Sequence, residues 1–261
     1  MTYQTLEIEF KSGAVRIWMN RPEVHNALDE IMIAELNDAF TKFGQNTDVH
    51  AIVLGGRGKS FSAGADLGWM KRAADFTEEE NHEDALKLAR MLQAIAECPK
   101  PVIARVQGAA FGGGVGLTAA ADIAIAGEHA KFCLSEVKLG LVPATIAPYV
   151  VKAMGERQAS RYFLTAEIFR SEKAADMGFV HEHCTDAQLD AKIEDLLLAL
   201  NLAAPDALDT AKGLIRSVSN RQLDEELMNE TAELIARQRL TPEGREGLAA
   251  FFDKRKASWV A

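Results

Sequence analysis

The chain has 261 residues, of which 48% are hydrophobic, and it carries a formal net charge of −9 at pH 7. This composition excludes a disordered protein, and the length favours one large domain or a domain with an appendage. The acidic balance argues against nucleic acid as the main partner.

The cysteines and the absence of targeting patterns indicate an intracellular protein. Cys98, Cys133 and Cys184 are odd in number and far apart in the sequence, which is typical of reduced thiols and not of a disulfide framework. No metal site is predicted from them. The first residues lack a basic and then apolar run, and every apolar tract is broken before it reaches membrane-spanning length. We therefore expect a soluble cytoplasmic protein with no membrane partner.

The N-terminal residues predict a β-hairpin. Leu6, Ile8 and Phe10 share one face of an alternating strand. A turn is expected at 11–13, and a second strand over 14–20.

A polar connection then leads into the first predicted helix. Asp29 is placed to cap it, apolar residues recur at helical spacing, and Gly44 is a suitable end. The connection also holds His25 and Asn26. An active role for this pair and a plain exposed turn both remain open.

The next segments predict two strands on either side of a helix. Residues 51–54 form a short apolar run, followed by GGRGKSFSAGADLGWM, whose five glycines indicate a functional or tightly packed loop. Residues 76–97 are charged on one side and apolar on the other, which predicts an amphipathic scaffold helix. Prolines 99 and 101 end it, and 102–106 reads as a buried strand.

The centre of the chain carries the chemistry-bearing pattern. The glycine triplet Gly112–Gly114 precedes a run rich in Ala and Leu that predicts a helix, so backbone N–H groups are left free at its start. Glu136 follows about twenty residues later among apolar neighbours. Fixed amides and a carboxylate suit a reaction that passes through an oxyanion and moves a proton. Packing glycines and a solvated glutamate are the alternative.

The C-terminal half of the chain begins with both strands and helices and ends with helices alone. A strand is expected at 123–126, a helical segment from 147 through 163, and a short helix at 174–177 that stops at Gly178. Past residue 185 the sequence predicts four helices and no strand. We therefore divide the chain into a core carrying the sites, residues 1–185, and a helical region, residues 186–261.

Four segments resemble the crotonase, or enoyl-CoA hydratase/isomerase, superfamily. They are NRPEVHNAL, FSAGADLGWM, GGGVGL with SEVKLGLVP, and TPEGREGLAAFFDKR, in order along essentially the whole chain. The resemblance implies an α/β spiral of repeated ββα units with a C-terminal helical region that builds trimers, commonly paired into hexamers. It also implies an acyl-CoA substrate and no cofactor other than the coenzyme A that the substrate carries.

The resemblance assigns a hydration site. It places two oxyanion-hole donors at the backbone N–H groups of Ala65 and Gly113, and a catalytic carboxylate at Glu136. Where many hydratases carry a second glutamate this chain has Gly116. We therefore expect Glu136 to activate water and return the proton alone. A Δ3,Δ2-enoyl-CoA isomerase using the same glutamate, and an idle acyl-CoA-binding member, are the alternatives.

The resemblance also predicts the substrate contacts. For Lys254 a solvated charge and a contact with the nucleotide phosphate, from this or a neighbouring subunit, are equally open. The predicted contacts are His25, Ala27, Ala63, Ala65, Asp66, Leu67, Gly113 and Lys254.

Within the superfamily the segments are most similar to bacterial 3-methylglutaconyl-CoA and carboxygeranoyl-CoA hydratases of leucine and acyclic-terpene degradation. Such a substrate carries a distal carboxylate, so a cation is expected at the acyl end of the pocket. Lys71, Arg72 and Lys138 are the candidates by their place in the motifs, and each is also readable as a surface charge.

Overall fold

The computed structural model describes residues 2–260 and shows an α/β fold. Within that range the strands are β1 (Leu6–Lys11), β2 (Ala14–Met19), β3 (Ala51–Gly56), β4 (Val102–Val106), β5 (Ala109–Phe111), β6 (Ile123–Gly127), β7 (Lys131–Cys133), β8 (Phe169–Arg170) and β9 (Glu182–Cys184). The α-helices are α1 (Glu30–Gly44), α2 (Leu67–Ala73), α3 (Glu78–Ala96), α4 (Gly113–Ala120), α5 (Ala147–Met154), α6 (Glu156–Thr165), α7 (Ser171–Asp176), α8 (Leu189–Asn201), α9 (Pro205–Val218), α10 (Glu225–Gln238) and α11 (Pro242–Phe252).

Two sheets organise the core. The larger has the order β1-β2-β3-β4-β6-β9, in which the antiparallel β1–β2 pair confirms the predicted hairpin and all other pairs are parallel. Parallel neighbours need crossover connections, which α1 supplies between β2 and β3, and α2 with α3 between β3 and β4. The smaller sheet, β5-β7-β8, was not predicted, because strands of two or three residues are too short to show a period.

Alternation along β3 divides the core between the two faces of the large sheet. Ile52 and Leu54 join the main cluster, with α1 and α3, whereas Val53 joins a second cluster that contains Ile193 of α8. Both faces of β3 are therefore buried, as its continuous apolar sequence predicts.

The helix ends follow local chemistry. The side chain of Asp29 accepts a hydrogen bond from the Met32 N–H and caps α1, as predicted. Thr77 and Glu80 form a reciprocal capping box at the start of α3.

The single helical segment expected from 147 through 163 is wrong: Gly155, with φ of +77°, separates α5 from α6. A glycine with positive φ ends the first helix and redirects the chain into the second.

The four helices predicted past residue 185 are present as α8 to α11. The first packs on the large sheet, and α9 is fastened to the core by Lys212, whose Nζ donates to the carbonyl oxygens of Cys98 (2.6 Å) and Lys100 (2.9 Å). It also lies 2.6 Å from Oδ2 of Asp122. The division at residue 185 stays a prediction. In the described part of the chain, no helix has the length and apolar character that crossing a bilayer requires.

Candidate active site

A short parallel pairing sets the orientation of the Ala65 amide. The Leu28 N–H donates to the Gly64 carbonyl (2.7 Å), and the Asp66 N–H donates to the Leu28 carbonyl (2.9 Å). In a parallel pair these two bonds use the residues on either side of Ala65, so the N–H of Ala65 faces away from Leu28. Among the described residues it has no acceptor, which leaves it available to a ligand.

The glycine triplet provides a second free amide. Gly112 has φ of +47°, and its N–H donates to the Cys133 carbonyl at 2.9 Å. Its own carbonyl accepts from Val115 and Gly116, which starts α4. The N–H of Gly113, the first residue of that helix, has no acceptor in the part of the chain described. It therefore sits at the positive end of the helix dipole.

The two loops meet beside the carboxyl group of Glu136. A methyl group built on Gly112 would lie 3.0 Å from Oε1 of Glu136 and 3.9 Å from the Cα of Gly64. A methyl group on Gly64 would lie 2.9 Å from the Phe111 carbonyl oxygen. Glycine is needed at both positions, because the backbone approaches closely and both have positive φ. The free amides next to these glycines thus belong to one site.

Glu136 is electrostatically suited to proton transfer. It begins the 3₁₀ turn Glu136–Leu139 and is half-buried, and its buried Oε2 has no hydrogen-bond partner among the described residues. Burial raises the pKa of this carboxyl, and its own backbone N–H offsets only part of the effect. A half-buried acid with a buried, unsatisfied oxygen in a cleft is a candidate general base.

A cavity of about 450 Å³ runs over these groups. Among the sequence-predicted residues it brings together Ala63, Ala65, Leu67, Gly113 and Glu136. The remaining lining residues, most of them apolar, are Leu28, Gly64, Trp69, Met70, Ala73, Asn81, Asp84, Ala85, Leu88, Gly112, Ser135, Leu139, Leu141, Val142, Pro143, Thr145 and Ile146.

The other predicted contacts lie outside that lining. His25 is exposed, and its Nδ1 is 3.1 Å from the Ser60 hydroxyl. Ala27 is buried, and Lys254 is exposed just after α11. The carboxylate of Asp66 accepts from the N–H groups of Gly68 and Trp69 and so caps α2. Their roles toward coenzyme A stay predictions.

Asn26, for which the sequence left two interpretations open, is fully buried. Its Nδ2 donates to the carbonyl oxygens of Arg57 and Ser60, both at 2.9 Å, and its Oδ1 accepts from the Arg21 N–H. All these partners are backbone groups, so the residue ties the first connection to the glycine-rich loop.

Packing explains the missing second carboxylate. A methyl group built on Gly116 would overlap Cγ2 of Ile146 and lie 2.8 Å from its Cβ, with Leu92 at 3.7 Å. Ile146 lines the cavity, so apolar volume stands where a glutamate at 116 would begin. Glu136 and Asp84 are the acidic residues of the lining in the described chain.

Sequence reasoning missed the wall formed by α2 and α3. The indole N–H of Trp69 donates to Oδ2 of Asp84 at 2.9 Å, which joins the two helices beside the cavity. The spacing of Asp84 and Leu88 along α3 is the signal that could have indicated a shared face. We interpreted this face of α3 as scaffold, because helical periodicity does not show which element the face packs against.

The candidate cations do not line the cavity. Arg72 pairs with Glu30 at 2.6 Å, Lys138 donates to the Ala166 carbonyl at 2.8 Å, and Lys71 is exposed. Among described residues, the lining contains neither lysine nor arginine. Within one chain, the lining of the cavity is therefore apolar and acidic.

A group with possible metal-ligand geometry lies apart from the cavity. Ligand atoms of Glu128, His129 and Asp186 are within 4.8 Å of one another, and all three residues are exposed. Nδ1 of His129 is already 2.8 Å from Asp186. In the described chain, none of the three belongs to the cavity lining.

Comparisons with known proteins agree on one family. Residues 9–261 match the family model described as enoyl-CoA hydratase/isomerase. The chain is 38% identical to the enoyl-CoA hydratase AKT6-1 of Alternaria alternata, over 96% of this chain and 82% of that protein. It is 28% identical to a crotonyl-CoA hydratase of Syntrophomonas wolfei, with 100% of both chains covered.

A solved structure shares the whole fold. The enoyl-CoA hydratase of Shewanella pealeana superposes with a TM-score of 0.96 at 44% identity, covering 98% of this chain and 96% of that one. The match confirms the crotonase-like α/β fold with C-terminal helices that the sequence segments predict.

Proposed function

Because the chain belongs to the enoyl-CoA hydratase/isomerase family, we propose that it adds water across the α,β-double bond of an enoyl-CoA thioester. The observation that supports this most is the convergence of the Glu136 carboxyl with the two glycine loops that carry free amides at Ala65 and Gly113. The names of the relatives point the same way.

The proposed reaction uses one carboxylate twice. Glu136 removes a proton from water as the water oxygen bonds to the β-carbon, and the alkene electrons move onto the thioester oxygen. The amides of Ala65 and Gly113 stabilise this enolate, each by about 3 kcal/mol, since they are fixed before the charge develops. Glu136 then returns its proton to the α-carbon, which completes the addition of one water molecule.

The main alternative is double-bond isomerisation, and Gly116 favours it. Moving a double bond requires one group that takes a proton from one carbon and delivers it to another. A single half-buried carboxylate with an unpartnered oxygen is sufficient for that. Both reactions use the same enolate and the same amides.

Oxygen-18 water separates the two reactions. Hydration of a 2-enoyl-CoA fixes the label in a 3-hydroxyacyl product, whereas isomerisation of a 3-enoyl-CoA leaves the mass unchanged. We expect label in the product of the wild type and a loss of about 100-fold or more in kcat for Glu136→Gln. Unlabelled isomer as the product would establish the isomerase, and tight binding without turnover would establish an idle acyl-CoA binder.

A more specific proposal is that the substrate carries a 3-methylglutaconyl-like acyl group, and this is supported by the sequence segments alone. It needs a cation near its distal carboxylate, and within the described lining the charged side chains are Glu136 and Asp84. Another copy of the chain is then the source of that cation. A panel of enoyl-CoA thioesters with and without a distal carboxylate tests this, and a preference for uncharged acyl groups would reject it.

A further inference from the structure

Two aspartates on different segments share one guanidinium beside the site. Asp29 uses Oδ1 to cap α1 and places Oδ2 2.9 Å from Nη1 of Arg21. Asp66 uses Oδ1 to cap α2 and places Oδ2 3.1 Å from Nη2 of the same arginine. Nη1 of Arg21 also donates to the Ala27 carbonyl at 2.8 Å. One side chain therefore joins the starts of two helices.

These contacts enclose the pairing that orients the Ala65 amide. Ala27 and Asp29 flank Leu28 and Asp66 follows Ala65, so Arg21 holds both segments of the Leu28–Ala65 bridge. The side chain of Arg21 is 19% exposed, and those of Asp29 and Asp66 are 13% and 16% exposed. Water therefore competes with the contacts only weakly.

The electrostatics of Asp66 agree with a fixed ion pair. Burial alone raises the pKa of its carboxyl, but the Trp69 and Gly68 amides and the Arg21 guanidinium outweigh it and hold the pKa below the ordinary value. The carboxylate therefore stays ionised to lower pH than an ordinary aspartate does, and the bridge persists with it.

We propose that Arg21 is a positioning residue for the reaction: it fixes the direction of the Ala65 N–H without touching the substrate. The inference rests on the proposed function, in which that amide stabilises the enolate oxygen. A planar guanidinium reaches two carboxylates and a carbonyl at once, which a lysine ammonium on its flexible stem does not reproduce. Removing it leaves two half-paired carboxylates beside the bridge and lets the Ala65 segment shift.

Steady-state kinetics on a 2-enoyl-CoA give the first test. For Arg21→Gln we expect kcat to fall about 10- to 100-fold with KM changed less than about threefold, because a misplaced donor weakens the transition state more than the ground state. Arg21→Lys should fall between this variant and the wild type, and guanidinium added to Arg21→Ala should restore part of kcat. Arg221→Gln, which removes an exposed two-pronged pair with Glu230, is the matched control and should keep wild-type kinetics.

An absorbance measurement gives a second test that needs no turnover. A bound cinnamoyl-CoA absorbs at longer wavelength when its thioester carbonyl is polarised by the two amides. We expect a red shift in the Glu136→Gln protein and a clearly smaller one in Glu136→Gln with Arg21→Gln, at saturating ligand.

The outcomes of these experiments distinguish the positioning role of Arg21 from the proposed hydration of an enoyl-CoA. A full red shift in the double variant, or an Arg21→Gln loss confined to thermal stability or KM, would overturn the positioning role. A wild type that hydrates no enoyl-CoA rejects the proposed function, and the red shift then still decides the role of Arg21.

Discussion

At the scale of single residues, Gly116 shows how packing excludes a functional group. Its Cβ position is occupied by Ile146, so we expect Gly116→Ala to lower the free energy of unfolding by about 1 to 3 kcal/mol. Ile146→Ala in the same chain should recover part of this loss. Denaturant titration of both single variants and the double variant measures the coupling.

Gly213 is the matched control for that substitution. It lies inside α9, and a methyl group there would meet no atom within 4 Å. Gly213→Ala should therefore stabilise the protein by roughly 0.5 to 1 kcal/mol. Equal effects at the two glycines would contradict the steric explanation for Gly116.

The titration of Glu136 gives a pH prediction. Burial raises its pKa above the ordinary value of 4.5, and the base must be ionised, so kcat/KM should fall as pH decreases through that raised pKa. Because the pKa is raised, the folded state also holds the carboxyl proton of Glu136 more tightly than the unfolded state does. Ionised Glu136 therefore costs stability, and the cost appears as pH rises through the same range. The Tm advantage of Glu136→Gln should grow between acidic and neutral pH, and a constant difference would contradict the raised pKa.

Asp84 gives a prediction about specificity. Its carboxylate lies in the cavity wall, held by the Trp69 indole, and it repels an acyl group with a distal carboxylate. We expect Asp84→Asn to raise kcat/KM for such a thioester about tenfold relative to crotonyl-CoA, which corresponds to about 1.4 kcal/mol. Asp75→Asn, outside the lining, is the control. An unchanged ratio would remove Asp84 from the specificity determinants.

At the scale of elements, the Lys212–Asp122 pair helps to hold α9 on the core. Burial raises the pKa of Asp122, and Lys212 offsets part of that effect. Lys212→Met removes the cation beside this carboxylate, which keeps its hydrogen bond from the Val102 N–H, and also removes the donor to two carbonyls, so we expect a loss of about 3 kcal/mol in the free energy of unfolding.

The loss should shrink at low pH, where Asp122 is protonated and no longer needs a cation. Urea unfolding at neutral and acidic pH measures the difference. Lys192→Met, in an exposed pair with Glu182, should cost less than about 1 kcal/mol. A pH-independent loss at Lys212 would mean that its apolar packing matters more than its charge.

At the scale of the whole molecule, the C-terminal helices expose much apolar surface. Phe251 and Phe252 are 77% and 75% exposed, and Leu223, Ile235 and Leu240 are also largely exposed. Apolar surface of this extent is typical of a protein interface; the trimer or hexamer stays a prediction.

A trimer or hexamer should give, by light scattering, three or six times the 28.4 kDa mass of one chain. Phe251→Ser with Phe252→Ser should lower that mass, whereas Phe10→Ser, at an exposed residue of β1, should not. A wild type that remains a single chain at micromolar concentration would contradict the prediction.

The sequence by itself determined what depends on neighbouring residues. The cap of α1 at Asp29, the apolar face of α3 and the free amide after Gly112 follow from propensity, period and glycine geometry within a few positions. The four segments together identified the family, because their order and spacing extend over the chain.

Only the tertiary structure decided which residues distant in sequence contact one another at the site. The Leu28–Ala65 pairing, Ile146 against Gly116, and the Trp69–Asp84 bond join positions that are distant in sequence. The short strands β5, β7 and β8 also owe their pairing to the chain path. Local preferences act over one or two turns, whereas these contacts depend on how whole elements pack. The Gly113 amide could therefore be predicted from the residues around it and the Ala65 amide only from the family resemblance, whereas the shape and charge of the cavity beside them could not be predicted.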